Sequence, residues 1–143
     1  MSEKFVLQAE KEFDIRFSEV DSMQIVWHGS YALYFEDARE EFGRKFHLEY
    51  MRMYEFGFYA PLVEFKVNYK QPLKYQDKAK IVITFRNTES AKLIFDYEIY
   101  NTKTNVLCAT GHTVQVFLDT NYQLLWTLPP FIREWKKMNG LPE

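Results

Sequence analysis

Cysteine is nearly missing from this chain, and so is any excess of one charge. A single Cys108 among 143 residues excludes an intrachain disulfide and suits a reducing compartment. It lies in the apolar run Val106-Leu107-Cys108-Ala109 and is read as core packing, not as a nucleophile. Eighteen basic residues against twenty acidic ones leave a formal charge of −2 with no Lys/Arg tract, which argues against nucleic acid as a partner. No run approaches the ~18 apolar residues of a membrane span, so none is expected. The start, Met1-Ser2-Glu3-Lys4-Phe5, is charged and has no apolar signal-peptide core, so the cytoplasm is the expected location. No His, Cys, Asp and Glu spacing proposes a metal. Neither a G-x-S-x-G elbow nor a Gly-rich phosphate loop occurs, which removes two common catalytic frameworks.

What the chain has in quantity is aromatic side chains, 18% of residues with thirteen Phe and ten Tyr, enough for a large core and for self-association. Its length suits one domain, taken as residues 1–143. From Glu10 to Ser18, Phe13, Ile15 and Phe17 alternate with Glu12, Asp14 and Arg16, the pattern of a half-buried strand. From Gly29 to Phe46 the period lengthens: Tyr31, Tyr34/Phe35, Ala38, Phe42 and Phe46 make one helical stripe, with Ser30 or Gly29 as its cap. His47 to Tyr59 is read as a short helix and a loop. Three alternating strands follow: Val63 to Tyr69, closed by Pro72, then Ala79 to Phe85 and Leu93 to Ile99. Short polar links join the last two to each other and to a long strand from Val106 to Thr120, with Gly111 as an expected bulge or bend. Pro129-Pro130 opens a last helical segment, Phe131 to Met138. The expected class is α+β: an antiparallel, curved sheet of about five strands wrapped around one long central helix.

The segment Asp21-Ser22-Met23-Gln24-Ile25-Val26-Trp27-His28-Gly29-Ser30-Tyr31 carries the chemistry. It joins a strand to the long helix, and so sets a carboxylate and an imidazole beside the helix's first N–H groups. Those N–H groups lack intrahelical acceptors and sit at the positive end of the helix dipole. An oxygen that turns negative during reaction is stabilised there, next to a carboxylate able to attack or to activate water. Acyl transfer is the implied reaction class.

These residues resemble the hotdog-fold acyl-CoA thioesterases of the 4-hydroxybenzoyl-CoA thioesterase-like family. The likeness rests on Arg16-Phe17-Ser18-Glu19-Val20-Asp21, Ile25-Val26-Trp27-His28-Gly29-Ser30-Tyr31 and Phe35-Glu36-Asp37-Ala38-Arg39. Val67-Asn68-Tyr69-Lys70-Gln71-Pro72 with Gln76-Asp77, then Gly111-His112-Thr113 and Val116-Phe117-Leu118-Asp119, continue it to about residue 135. The chain departs from the family at Glu19-Val20, where Asp-Thr is usual, and at Gln24, where Gly is usual. The resemblance implies hydrolysis of an acyl-CoA or acyl carrier protein thioester, with coenzyme A as part of the substrate and no separate cofactor. It implies Asp21 as nucleophile or general base, the backbone N–H groups of His28 and Gly29 as oxyanion donors, and the His28 ring as a proton or water partner. Tyr31 is expected to line the acyl pocket. Lys66 and Lys70, from a loose basic group with Lys74, Lys78 and Lys80, are candidates for the coenzyme phosphates. Glu36 matches the family's in-helix acid, with a solvated or partner-facing role preferred. Subunits of such families pair sheet edge to sheet edge, so a homodimer or homotetramer is expected. Two rival readings remain at this stage: a hotdog hydratase or dehydratase, and a binding module without catalysis.

Overall fold

A computed structural model describes residues 6–142. Strand β1 (Gln8–Asp14) is followed by a one-turn 3₁₀ helix (Phe17–Glu19), the long helix α1 (Ser30–Phe46) and a short α2 (Tyr50–Glu55). Then come β2 (Phe58–Tyr59), β3 (Leu62–Tyr69), β4 (Lys78–Arg86), β5 (Lys92–Asn101), β6 (Val106–Val116), β7 (Leu118–Asp119) and α3 (Pro130–Met138). Five strands form one sheet in the order β1-β4-β5-β6-β3, and every pairing in it is antiparallel. The sheet curves around α1, the architecture the periodicity called for.

The core is where the two periods meet. Helix α1 buries Tyr31, Tyr34, Phe35, Ala38 and Phe42 at spacings of three and four. The sheet answers with Ile81, Ile83 and Phe85 of β4 and Leu93, Phe95, Tyr97 and Ile99 of β5, all buried. Phe42 is the hub: its ring lies 5.0 Å from that of Phe95 and 6.3 Å from that of Trp135 on α3. Helix α1 ends where His47 turns left-handed, at φ 62°, and Leu48 N–H closes back on Gly43 O at 2.8 Å.

Two strand ends and one bulge differ from the sequence reading. The first strand stops at Asp14, because Arg16 to Glu19 curls into the 3₁₀ turn instead of extending to Ser18. The last strand does not run to Thr120. It breaks at fully buried Phe117, after which β7 pairs with β2 in a separate two-stranded sheet. Gly111 is no bulge: it sits in register opposite both Val67 and Tyr97. A Cβ there would collide with the Phe35 ring, so glycine is what lets α1 lie close on β6. The bulge falls at Cys108, skipped where Ile99 pairs with Ala109 and Tyr100 with Leu107. Cys108 is buried as expected, and burial pushes its thiol up, away from reactivity. No helix among the described residues is long and apolar enough to cross a membrane.

Candidate active site

Glu19 builds the turn that leads into α1. Buried at the end of the 3₁₀ helix, its carboxylate accepts Arg16 N–H at 2.9 Å, Arg16 Nε–H at 3.0 Å and the Tyr34 hydroxyl at 3.0 Å. Its backbone carbonyl accepts Trp27 N–H at 2.9 Å and the Ser30 hydroxyl at 3.1 Å. One residue thus ties the entry to the turn, the exit from it, and the first two turns of α1. Burial and the bond to Glu19 both hold the Tyr34 hydroxyl far above its usual range, so it stays a donor.

Inside that frame the chain folds tightly on itself. Asp21 N–H donates to Ile25 O at 2.9 Å, and Gln24 N–H donates to Asp21 O at 2.9 Å. Asp21 Oδ1 accepts Met23 N–H at 2.8 Å, an Asx turn. Gln24 takes φ 66°, the left-handed conformation a glycine would adopt without cost. Gln24 thus already holds the backbone conformation that glycine favours. Val26 N–H then bonds to Leu73 O at 2.8 Å, fixing the segment against the loop after β3.

Gly29, not Ser30, is the N-cap of α1; Ser30 is the first helical residue and its hydroxyl is spent on Glu19. No side chain caps this end of the helix. No backbone carbonyl among the described residues accepts the N–H of His28 or Gly29, although Ser30 N–H bonds to Trp27 O at 2.9 Å. A Cβ on Gly29 would meet the Trp27 ring, which would have to swing aside to admit a side chain.

Asp21, His28, Tyr31, Tyr69 and Lys70 line one open cleft of about 420 Å³. Asp21 is half-buried, and its second oxygen, Oδ2, has no partner among the described residues. The His28 ring is exposed and rests against Trp27, with ring centres 4.9 Å apart. Tyr31 is buried, edge-on to Tyr69 at 5.1 Å, and burial pushes its hydroxyl up to about 12. Lys70 is placed by the Cys108 bulge: Cys108 O accepts the N–H of Lys70 at 2.9 Å and of Gln71 at 3.0 Å.

The cleft thus brings together four of the residues singled out from sequence: Asp21, His28, Tyr31 and Lys70. Lys66 is not among them. It lies on the opposite face of the sheet, in a groove shared with Glu64, Arg86, Asp96 and His112. Strand alternation explains this, since Phe65, Val67 and Tyr69 take the helix side and Lys66 the other, while the register slips at Val63 and leaves Leu62 facing the helix side as well. Lys70 escapes the rule because β3 has ended by Tyr69. The basic group is dispersed: Lys78 bonds to Asp14 at 2.9 Å and Lys80 lies 4.0 Å from Glu10. Glu36 borders a second, smaller cavity deeper along α1. Sequence reasoning missed Glu19 as an anchor; its signal was an acid at the very position where the motif departs from the family.

Comparison with known proteins gives the same architecture a family. The Thioesterase-like superfamily matches residues 15–136. A Bacillus subtilis relative named "Putative acyl-CoA thioesterase YneP" is 30% identical over 93 residues, which cover 65% of this chain and 67% of that one. The crystal structure of DHNA-CoA thioesterase from Staphylococcus aureus superposes with a TM-score of 0.81 at 26% identity, over 93% of this chain and 91% of that one. A 1,4-dihydroxy-2-naphthoyl-CoA thioesterase from Synechocystis shares the fold, with a TM-score of 0.80 at 17% identity over 92% and 98% of the two chains. With residues 15–136 matched by the family model and 93% of the chain superposed on a thioesterase, this chain belongs to the Thioesterase-like superfamily and is a hotdog thioesterase.

Proposed function

We propose that this chain hydrolyses acyl-CoA thioesters in the cleft between Asp21 and the leading turn of α1. One observation carries the reading. An unpartnered carboxylate oxygen, Asp21 Oδ2, stands on a cleft that His28 also lines, at a helix start whose N–H groups at 28 and 29 have no backbone acceptor. The thioester carbonyl oxygen is placed against those N–H groups, where the helix dipole favours developing negative charge. Asp21 attacks the carbonyl carbon, or removes a proton from a water that does. In both routes the oxyanion collapses, the C–S bond breaks, and sulfur departs as the coenzyme A thiolate. In the direct route water supplies the new oxygen of the released acid; in the covalent route water opens the anhydride at the aspartyl carbon, so the acid leaves with an oxygen of Asp21 and water restores the Asp21 carboxylate. Neither route calls for a cofactor. Lys70, on the cleft, faces the coenzyme side, while Lys66 takes no part. The names of the relatives, an acyl-CoA thioesterase and a DHNA-CoA thioesterase, support the substrate class.

The working unit is proposed to be at least a homodimer. Strand β3 is a sheet edge, and it exposes Leu62, Val63, Phe65 and Tyr69. An open apolar edge of eight residues invites pairing, and a second β3 laid against it closes the gap.

Free-thiol release from a panel of acyl-CoAs, run with the wild type and Asp21→Asn, tests the proposal. Loss of turnover with substrate binding retained supports it. Thiol release that survives Asp21→Asn unchanged would defeat it. A single turnover in ¹⁸O-water separates the routes, because covalent attack leaves label in the Asp21 carboxyl group.

A further inference from the structure

Asp21 stands on two hollows at once. One is the reactive cleft; the other is an open groove of about 550 Å³ walled by Phe17, Val20, Asp21, Ser22, Gln24 and Tyr75. A thioester carries two arms from its carbonyl carbon, and two hollows that meet at Asp21 give each arm a place. The loop after β3 walls both, with Lys70 on the cleft and Tyr75 on the groove.

Local bonding shapes the groove. Tyr75 N–H donates to Gln24 O at 3.2 Å, and Gln24 N–H donates to Asp21 O at 2.9 Å. The turn that carries Tyr75 is closed twice, by Lys74 N–H on Asp77 Oδ2 at 2.9 Å and by Asp77 N–H on Lys74 O at 3.0 Å. The Phe17 and Tyr75 rings stand edge-on with centres 5.6 Å apart, yet they are 73% and 41% exposed. Left-handed backbone brackets the groove: Gln24 has φ 66°, and Gln76, the neighbour of Tyr75, has φ 75°. Such residues persist where their surroundings hold them, and they gather at ligand clamps. The exposed carboxamide of Gln24 and hydroxyl of Ser22 make no hydrogen bond among the described residues. Aromatic walls beside an uncommitted amide suit a ligand made of short apolar links and amides.

We propose that Gln24 binds the thiol-side arm of the substrate at its first amide, on the reading that thioester cleavage takes place at Asp21. In coenzyme A an amide nitrogen lies three bonds from sulfur, with methylenes on either side of the amide. A carboxamide both accepts from such an N–H and donates to such a carbonyl, while Phe17, Val20 and Tyr75 cover the methylenes. The acyl arm carries no obligatory amide, and the cleft beside Tyr31 and Tyr69 takes it. The coenzyme side of the site is then the loop side, with Lys70 and Tyr75 at its two ends. A glycine at position 24 would give the same backbone and no bond to the arm. Gln24 is thus a specificity residue that touches the leaving group, away from the carbon under attack.

The test compares two thioesters of one acid. The N-acetylcysteamine ester keeps the first amide; the 1-pentanethiol ester replaces it with methylenes. The kcat/KM ratio of the first to the second is expected to be about 3- to 10-fold lower in Gln24→Gly than in the wild type, with the loss in KM of the amide-bearing ester. Both proteins meet the same pair, so the difference in thiol reactivity cancels. A ratio unmoved by the substitution overturns the proposal. An equal loss on both esters also overturns it, because Gln24 would then support the turn and nothing more. If neither small ester is cleaved, KM for an acyl-CoA decides: a rise of about 3- to 10-fold in Gln24→Gly supports the proposal, and no rise overturns it. If the wild type cleaves no thioester at all, the catalytic reading has failed. The groove is then judged by calorimetric titration with free pantetheine: weaker binding to Gln24→Gly than to the wild type retains it, and equal or absent binding overturns it.

Discussion

Glu19 and Asp21 stand two residues apart in one turn, yet the fold uses them in opposite ways. Glu19 is buried, and its two oxygens serve two N–H donors and a tyrosine hydroxyl. Asp21, which lines a cleft, gives one oxygen to the N–H two residues on and leaves the other without a partner among the described residues. A carboxylate with both oxygens committed is a structural tie, since attack or proton removal would break bonds the fold needs. A carboxylate oriented by one bond and otherwise free is held in place at little cost to its reactivity. The turn has both kinds: Glu19 ties it to its flanking residues and to α1 with both carboxylate oxygens, while Asp21 closes it with its backbone and Oδ1 and keeps Oδ2 uncommitted.

The sharpest way to break this contrast is to substitute each acid by its amide. Asn at 21 keeps an oxygen for Met23 N–H but can neither attack nor take a proton. Turnover of a good acyl-CoA substrate should fall on the order of 10³-fold or more, while Tm stays within a degree or two. Glu19→Gln should show the reverse weighting. It loses charge-assisted bonds in a buried site, costing about 1–3 kcal/mol of stability, which thermal or urea melts read directly, and turnover falls less than in Asp21→Asn. If Glu19→Gln abolished turnover at full stability, the roles assigned to the two acids would have to be exchanged.

Gln24 offers a milder test of the same turn. Its φ of 66° is left-handed backbone that costs a side-chain-bearing residue roughly 1 kcal/mol or more. Gln24→Gly is expected to raise Tm by a few degrees at most, because the turn already has the shape glycine would give it. A fall in stability would mean that the Gln24 side chain supplies support its backbone angle does not reveal.

Much of this was legible in the residues. Alternation in 79–85 and 93–99, the helical stripe from Tyr31 to Phe42, and the polar hairpin links fix an antiparallel sheet over one helix. So did the junction of Asp21 with the start of that helix. What was not legible depends on contacts across the fold. Gly111 announces a special backbone position, but only the Phe35 ring packed over it shows that the reason is helix approach. The bulge at Cys108, which aims Lys70 at the cleft, leaves no mark in composition. Lys66 and Lys70 look equivalent at a spacing of four, and differ because the strand ends between them. Arg39 reads as one more charge on an amphipathic helix until its burial is seen.

A third acid, on the far face of the sheet, marks the weak end of the comparison. Asp96 accepts from His112 Nδ1 at 2.7 Å and from Arg86 Nε at 2.6 Å, as fully paired as Glu19 but half open to water. Burial alone would raise its carboxyl, and the bonds from His112 and Arg86 outweigh that, so it is held below the ordinary range. A depressed folded pKa adds stability above the unfolded value of about 4, and that gain is lost as pH falls through the folded one. Asp96→Asn should therefore melt lower than the wild type near neutral pH, with the two Tm values converging as pH drops below about 4. Solvent screening keeps the gap small, and added salt should narrow it further. A gap as large as that of Glu19→Gln would show that pairing alone, without burial, is enough to make a carboxylate a structural tie, and one that persists in acid would show that the ionised carboxylate is not its source.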